Sequence, residues 1–168
     1  MKTMLTATAS LVLASAIAGA QTLDLNFDKL SAKAKEKAEV TLDGSLLTQA
    51  LQKAPDKVKG SVANVSRLLI RHYEFEKSGE YSDADLDAVR KQVSGASGWS
   101  RILGSKEDKE SVDIYVLNQG GKPGGFLLIA AEEKELTVVH VVGSIDLASL
   151  KEVVNSTIHY DLKSAEGQ

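Results

Sequence analysis

Apolar positions recur with helical spacing in the first half of the chain and with strand spacing in the second. Phe27, Leu30 and Ala34 fall at i, i+3 and i+7 among Lys29, Lys33, Lys35 and Lys37, which predicts a short amphipathic helix with a solvated basic face. Glu39 to Leu42 alternates as a short strand that Asp43-Gly44 ends. Leu46, Leu47, Ala50 and Leu51 form a helical stripe over Ser45 to Lys53, stopped by Pro55. Val58, Val62 and Val65 predict another short helix, weakened by Gly60. Leu68 to Glu76 is rich in β-formers and reads as a strand, with Leu69, Arg71, Tyr73 and Phe75 on one face and Leu68, Ile70, His72 and Glu74 on the other. Ser82 followed by Asp85 is a near capping box, and Leu86, Val89 and Val93 give the stripe of a helix closing at Gly95.

From Trp99 onward the period changes to two. Trp99 to Ser105, Val112 to Leu117, Phe126 to Ala131 and Leu136 to Val142 are extended runs joined by links too short for parallel crossovers, so they predict an antiparallel meander. With Ser105 opposite Val112, an unbroken register puts Trp99, Arg101 and Leu103 on one face with Val112, Ile114 and Val116, leaving Asp113 and Tyr115 on the other. Trp99 is therefore expected in the core. Phe126 to Ala131 is apolar at every position, as in a central strand covered on both sides. Asp146 opens a last helix with Leu147, Leu150, Val154 and Ile158, and Lys163 to Gln168 is expected to fray. The expected fold is a single α+β domain over residues 21–168, a largely antiparallel sheet packed with several short helices.

The N-terminal apolar stretch is a different object. Lys2 precedes Met4 to Ile17, and Ala18-Gly19-Ala20 offers small residues where a signal peptidase reads, so residues 1–20 are expected to be a secretory signal cleaved before Gln21. Thr6, Thr8, Ser10 and Ser15 interrupt the run, which falls short of a membrane span. The chain has 168 residues, no cysteine, and 20 Lys plus Arg against 23 Asp plus Glu, a net charge of -3. Thiol chemistry and disulfides are excluded. Nucleic acid is not expected as a partner, because phosphate binding needs a concentrated basic face.

Several blocks together resemble a known family. Val40-Thr41-Leu42-Asp43-Gly44, Gly98-Trp99-Ser100-Arg101-Ile102, Val112-Asp113-Ile114-Tyr115, Ile129-Ala130-Ala131-Glu132, and Glu135 through Leu147 are similar, in order, to the bacterial exported family called domain of unknown function 4252. The resemblance implies export and an α+β fold, and it carries no activity to particular residues. Family members often look like lipoproteins or soluble periplasmic proteins. Ala20 stands where a lipoprotein would need cysteine, so no lipid anchor is expected.

Chemical templates mostly fail along the chain. His72, His140 and His159 lie in separate elements without metal-ligand spacing, so no metal or other cofactor is expected. Gly95-Ala96-Ser97-Gly98 is one residue short of a nucleophile elbow and follows a helix. Gly120 to Gly125 lacks the Ser or Thr after its lysine that a phosphate loop uses, and reads as a hairpin loop. Glu74 with Glu76, and Asp83 with Asp85 and Asp87, are explained by solvation and helix capping. Asn64-Val65-Ser66 and Asn155-Ser156-Thr157 match a glycosylation pattern without meaning in a bacterial exported chain.

Three functional classes follow. The leading one is a soluble periplasmic or extracellular module, not an enzyme, that binds another envelope protein or a small ligand. The second is an envelope enzyme whose site assembles from dispersed polar residues, with Arg71, His72, Arg101, Tyr115 and His140 as candidates because they punctuate apolar strands. The third is a self-associating structural protein, which would show a long uncovered edge strand or a large apolar patch.

Overall fold

The structure is a computed structural model that describes residues 23–52, 56–94, 98–145, 148 and 149. The expected signal sequence and its cleavage before Gln21, residues 95–97, most of the helix expected from Asp146 and the tail expected to fray lie outside the described residues. The elements in order are α1 (Asp28–Lys33), β1 (Glu36–Asp43), α2 (Gly44–Gln52), α3 (Asp56–Ser61), β2 (Asn64–Glu74), α4 (Asp83–Val93), β3 (Trp99–Glu107), β4 (Glu110–Gln119), β5 (Lys122–Ala131) and β6 (Glu135–Ser144). All strands join one six-stranded antiparallel sheet in the order β1-β2-β6-β5-β4-β3. The meander of β3 to β6 is thus as the short links require, and β2 closes on its last strand. This is the α+β, mostly sheet architecture expected from the pattern.

Both faces of the sheet are covered, which explains why β2 does not sort into one apolar and one polar side. On the first face, Leu69, Tyr73, Tyr115, Leu127, Ile129 and Leu136 pack with Leu86, Val89 and Val93 of α4, Leu30 of α1, and Leu23, Leu25 and Phe27 of the leading segment. We call this the helix face. On the second, Ile70, Val116, Phe126, Leu128, Val139 and Val141 pack with Val62 and Ile145. β5, which is apolar throughout Phe126 to Ala131, lies between β4 and β6 and contributes to both cores. The helix stripe of α4 is buried as its spacing predicts, and the capping box is formed: the Ser82 amide and hydroxyl both donate to the Asp85 carboxylate, at 2.9 and 3.0 Å.

Several local readings are corrected. Val65 belongs to β2, which begins at Asn64 and ends at Glu74, so Phe75 and Glu76 lie beyond the strand and Glu74 and Glu76 do not share a strand face. In α2, Leu47 is buried while Leu46 and Ala50 are exposed, since the helix is set against the sheet margin and only a narrow stripe is covered. The hairpin loop near Lys122 is only Gly120-Gly121; both have positive φ, +56° and +80°, and so complete a two-residue turn that lets β5 start at Lys122.

The largest correction is on β3. Ser105 does pair with Val112, but a bulge between Arg101 and Leu103 inserts Ile102 as an extra residue. One inserted residue reverses parity before it. Leu103 therefore stays opposite Ile114, whereas Arg101 comes opposite Tyr115 and Trp99 opposite Leu117. Trp99 is in the core, as expected, but in that of the helix face, with Tyr115.

Candidate functional site

The parity reversal builds a charged cluster at the margin of the helix face. Asp113 is a carboxylate in the otherwise apolar run of β4, and its exposure is only 4 %. Such a burial needs cationic or hydrogen-bonding partners. Arg90, projecting from the last turns of α4, donates through Nε to Asp113 Oδ2 at 3.2 Å and through Nη1 to Asp83 Oδ1 at 3.1 Å. Arg101 donates to the other oxygen of Asp113. Lys106 Nζ donates to Asp83 Oδ2 at 3.2 Å. Gly104 is what admits Arg101: a Cβ there would lie 2.1 Å from the guanidinium, so any side chain would displace it. The hydrogen bonds from Arg90 and then Lys106 hold the Asp83 carboxyl below its usual range. Burial first, and then the Asp113 charge, push the Tyr115 phenol up.

Beside this cluster lies a groove of about 400 Å³, lined by Tyr81, Asp83, Lys106, Lys109, Glu110 and Glu132 among others. Tyr81 forms its wall, stacked on Phe75 with 5.0 Å between ring centroids, and donates to the Glu132 and Glu135 carbonyls. Burial raises its phenol to about 12. Lys106 and Lys109 are held by Asp83 and Glu133. Chemically, this arrangement ties α4 to the β3–β4 hairpin, and the phenol it holds is raised, not lowered.

Of the five sequence candidates, only Arg101 and Tyr115 come together, as cross-strand partners. Arg101 is committed to Asp113 and Tyr115 is buried. Arg71 lies on the helix face and spends its guanidinium on the Val40 and Ile70 carbonyls and the Thr41 hydroxyl, at 3.0, 2.9 and 3.2 Å. His72 is on the second face, with Nδ1 2.9 Å from the Thr137 hydroxyl and Nε2 3.6 Å from Glu74. His140 is opposite Leu69 and so is on the helix face, 2 % exposed, with its ring 6.1 Å from that of Trp99. Burial first, and then the charge of Arg67, lower it to about 4. The sheet itself separates the His72 and His140 side chains, although β2 and β6 are adjacent. Among the described residues, no group of three His, Asp or Glu side chains gathers as a metal site. His159 lies outside the described residues.

Asp113 and Arg90 were not singled out by motif reasoning. Two signals point to them in retrospect: an acid within Val112 to Leu117, and Gly104 inside a strand, where glycine marks a bulge or a close approach.

The second feature of the site is what β3 leaves bare. After Trp99, all eight remaining residues of β3 are exposed, and among the described residues β4 is its only strand neighbour. Ile102 and Leu103 are 49 % and 46 % exposed, adjacent to one another on this edge. The opposite edge, β1, alternates exposed and half-buried positions and carries Glu36, Lys37, Glu39 and Asp43. Charges of that kind discourage strand addition; β3 also carries Arg101, Lys106 and Glu107, and differs in its adjacent exposed Ile102 and Leu103.

Fold and site thus define a two-sided antiparallel-sheet protein with an uncovered edge, and comparison with known proteins adds a family. The chain belongs to the family described as domain of unknown function (DUF4252), which it matches over residues 29–153. No curated protein and no solved structure matches it. No helix among the described residues is long and apolar enough to cross a membrane.

Proposed function

We propose that this is an exported, non-catalytic interaction module that receives an extended segment of another envelope protein on the free edge of β3. The observation that supports this reading is the exposure of β3 from Ser100 to Glu107. An edge strand presents unpaired N–H and C=O groups in register with any extended chain, and main-chain pairing supplies affinity while side-chain contacts supply selectivity. Ile102 and Leu103 give that edge an apolar contact. Export rests on the Lys2 to Ala20 pattern and on the exported character of the family. The enzyme reading loses ground because its candidate residues are dispersed over both faces and the cationic ones are bound internally.

The same edge also supports self-pairing, and one experiment reads both. A photoreactive residue at Ile102, with one at Glu39 as the control on the opposite edge, is activated in intact cells. Adducts through Ile102, absent through Glu39 and lost in Leu103→Lys, are expected. Adducts joining two copies, with a mass that doubles with concentration, select the self-associating form. No adduct at Ile102, or equal adducts at both edges, would overturn the proposal.

A further inference from the structure

The helix face ends, on the side away from the charged cluster, in a row that crosses the whole sheet: Trp99, Leu117, Gly125, Val142, Arg67 and Asp43 are successive cross-strand partners. Trp99 lies against Gly125; a Cβ there would be 3.5 Å from Trp99 Cη2, an ordinary contact distance. The indole so reaches over β5 toward β6 and meets His140, one step along that strand. From the other side Arg67 of β2 approaches His140, close enough for its charge to act on the imidazole. Trp99 Nε1 and Arg67 Nε are both buried and have no hydrogen-bond partner among the described residues. Trp99 is 5 % exposed, whereas Arg67 is half-buried and reaches the margin of the sheet. Asp43, its row neighbour, is exposed, and no ion pair joins the two.

Buried donors without acceptors are costly, and proteins keep few of them. Here two occur in one corner beside a buried histidine, and Arg and Trp nitrogens can only donate. The matching partner is an acceptor of negative charge, for which a guanidinium is the preferred protein ligand. We propose that this corner binds the oxyanion of a small molecule, a carboxylate or a phosphate, with Arg67 as the charged contact and the Trp99 indole N–H as the second donor. His140 borders the bound group and, on taking up a proton, adds a second positive charge to it. The proposal is independent of the β3 edge, which is on the far side of Trp99.

Trp99 is the only tryptophan in the chain, so its emission reports on this corner alone. The full exported chain is titrated with sodium phosphate and, separately, sodium acetate, each against sodium chloride at matched ionic strength. A saturable change in Trp99 emission with phosphate, acetate or both is expected, and which salt acts tells the two sources of oxyanion apart. Loss of one charge-assisted hydrogen bond predicts that Arg67→Gln weakens the response by roughly tenfold or more. Arg67→Lys, which keeps the charge but not the Nε donor, is read as well should Arg67→Gln shift the unfolding midpoint. No saturable change with either salt, an equal change with chloride, or a response that both Arg67 variants retain would overturn the proposal.

Discussion

β5 and β3 come from the same meander, are nearly equal in length, and have opposite fates. From Gly125 to Ala131, β5 is buried at every position but one, while β3 is exposed at every position but one. Strand propensity does not make this difference, since Arg101-Ile102-Leu103 is as capable of extension as Phe126-Leu127-Leu128. Position in the sheet makes it: β5 has a strand on each side and a core on each face, whereas β3 has one neighbour and keeps only Trp99 in the interior. Between two runs of similar strand propensity, strand order therefore decides how much apolar surface is covered.

The comparison is broken most directly by truncating both strands. Trp99→Ala should cost about 3 to 5 kcal/mol and Leu127→Ala about 2 to 5 kcal/mol in denaturant unfolding, the ranges for such core side chains. Leu103→Ala should cost under about 0.5 kcal/mol. Equal losses for Leu127 and Leu103 would show that the edge is covered in solution.

Asp113→Ala is next in size. It removes the shared acceptor of Arg90 and Arg101, and breaking a buried pair typically costs about 3 kcal/mol. Arg101→Ala should cost less than about 1 kcal/mol, because that side chain is 53 % exposed. Thermal unfolding of the two variants side by side tests whether β3 is anchored through Asp113 or through Trp99 alone.

His140 sets a pH dependence in the interior. Its folded value, about 4, is below the ordinary 6.5, so the unfolded chain binds the proton more readily. Its contribution is present in full above about pH 6.5 and is lost as the pH falls toward about 4, a maximum of roughly 3 kcal/mol at 1.36 kcal/mol per unit. Unfolding midpoints measured across that interval should fall with acid in the wild type and flatten in His140→Gln. The smallest expected effect is Leu103→Lys, which should leave the unfolding midpoint in place while removing any adduct or dimer formed through the β3 edge.

Much of the fold was legible because it is written in local patterns. The α4 stripe and its Ser82–Asp85 cap, the meander and the doubly covered β5 all follow from spacing and link length. The Trp99 environment was legible only in part: its burial follows from its size and place, but its face depends on Ile102 being a bulge, and nothing in Trp99-Ser100-Arg101-Ile102-Leu103 marks which residue is extra. The charged cluster was less legible still, since Arg90 and Asp113 are brought together by the docking of α4 on β4. The five polar candidates had the right chemistry but no common place, because parity put His72 and His140 on opposite sides of the sheet.

The strand order has a consequence for how the chain becomes a protein. Among the described residues β6 is the last strand in sequence, yet it sits near the middle of the sheet and is the only strand joining the β1–β2 pair to the β3–β4–β5 unit. A chain that emerges N-terminus first can form these two pieces separately, yet each would expose a pairing edge until residues 135–144 arrive. Completion of the sheet therefore waits on residues 135–144. A product ending before Glu135 is not a shortened version of the molecule but two adhesive fragments on one string, which a cell would need a chaperone or a protease to manage.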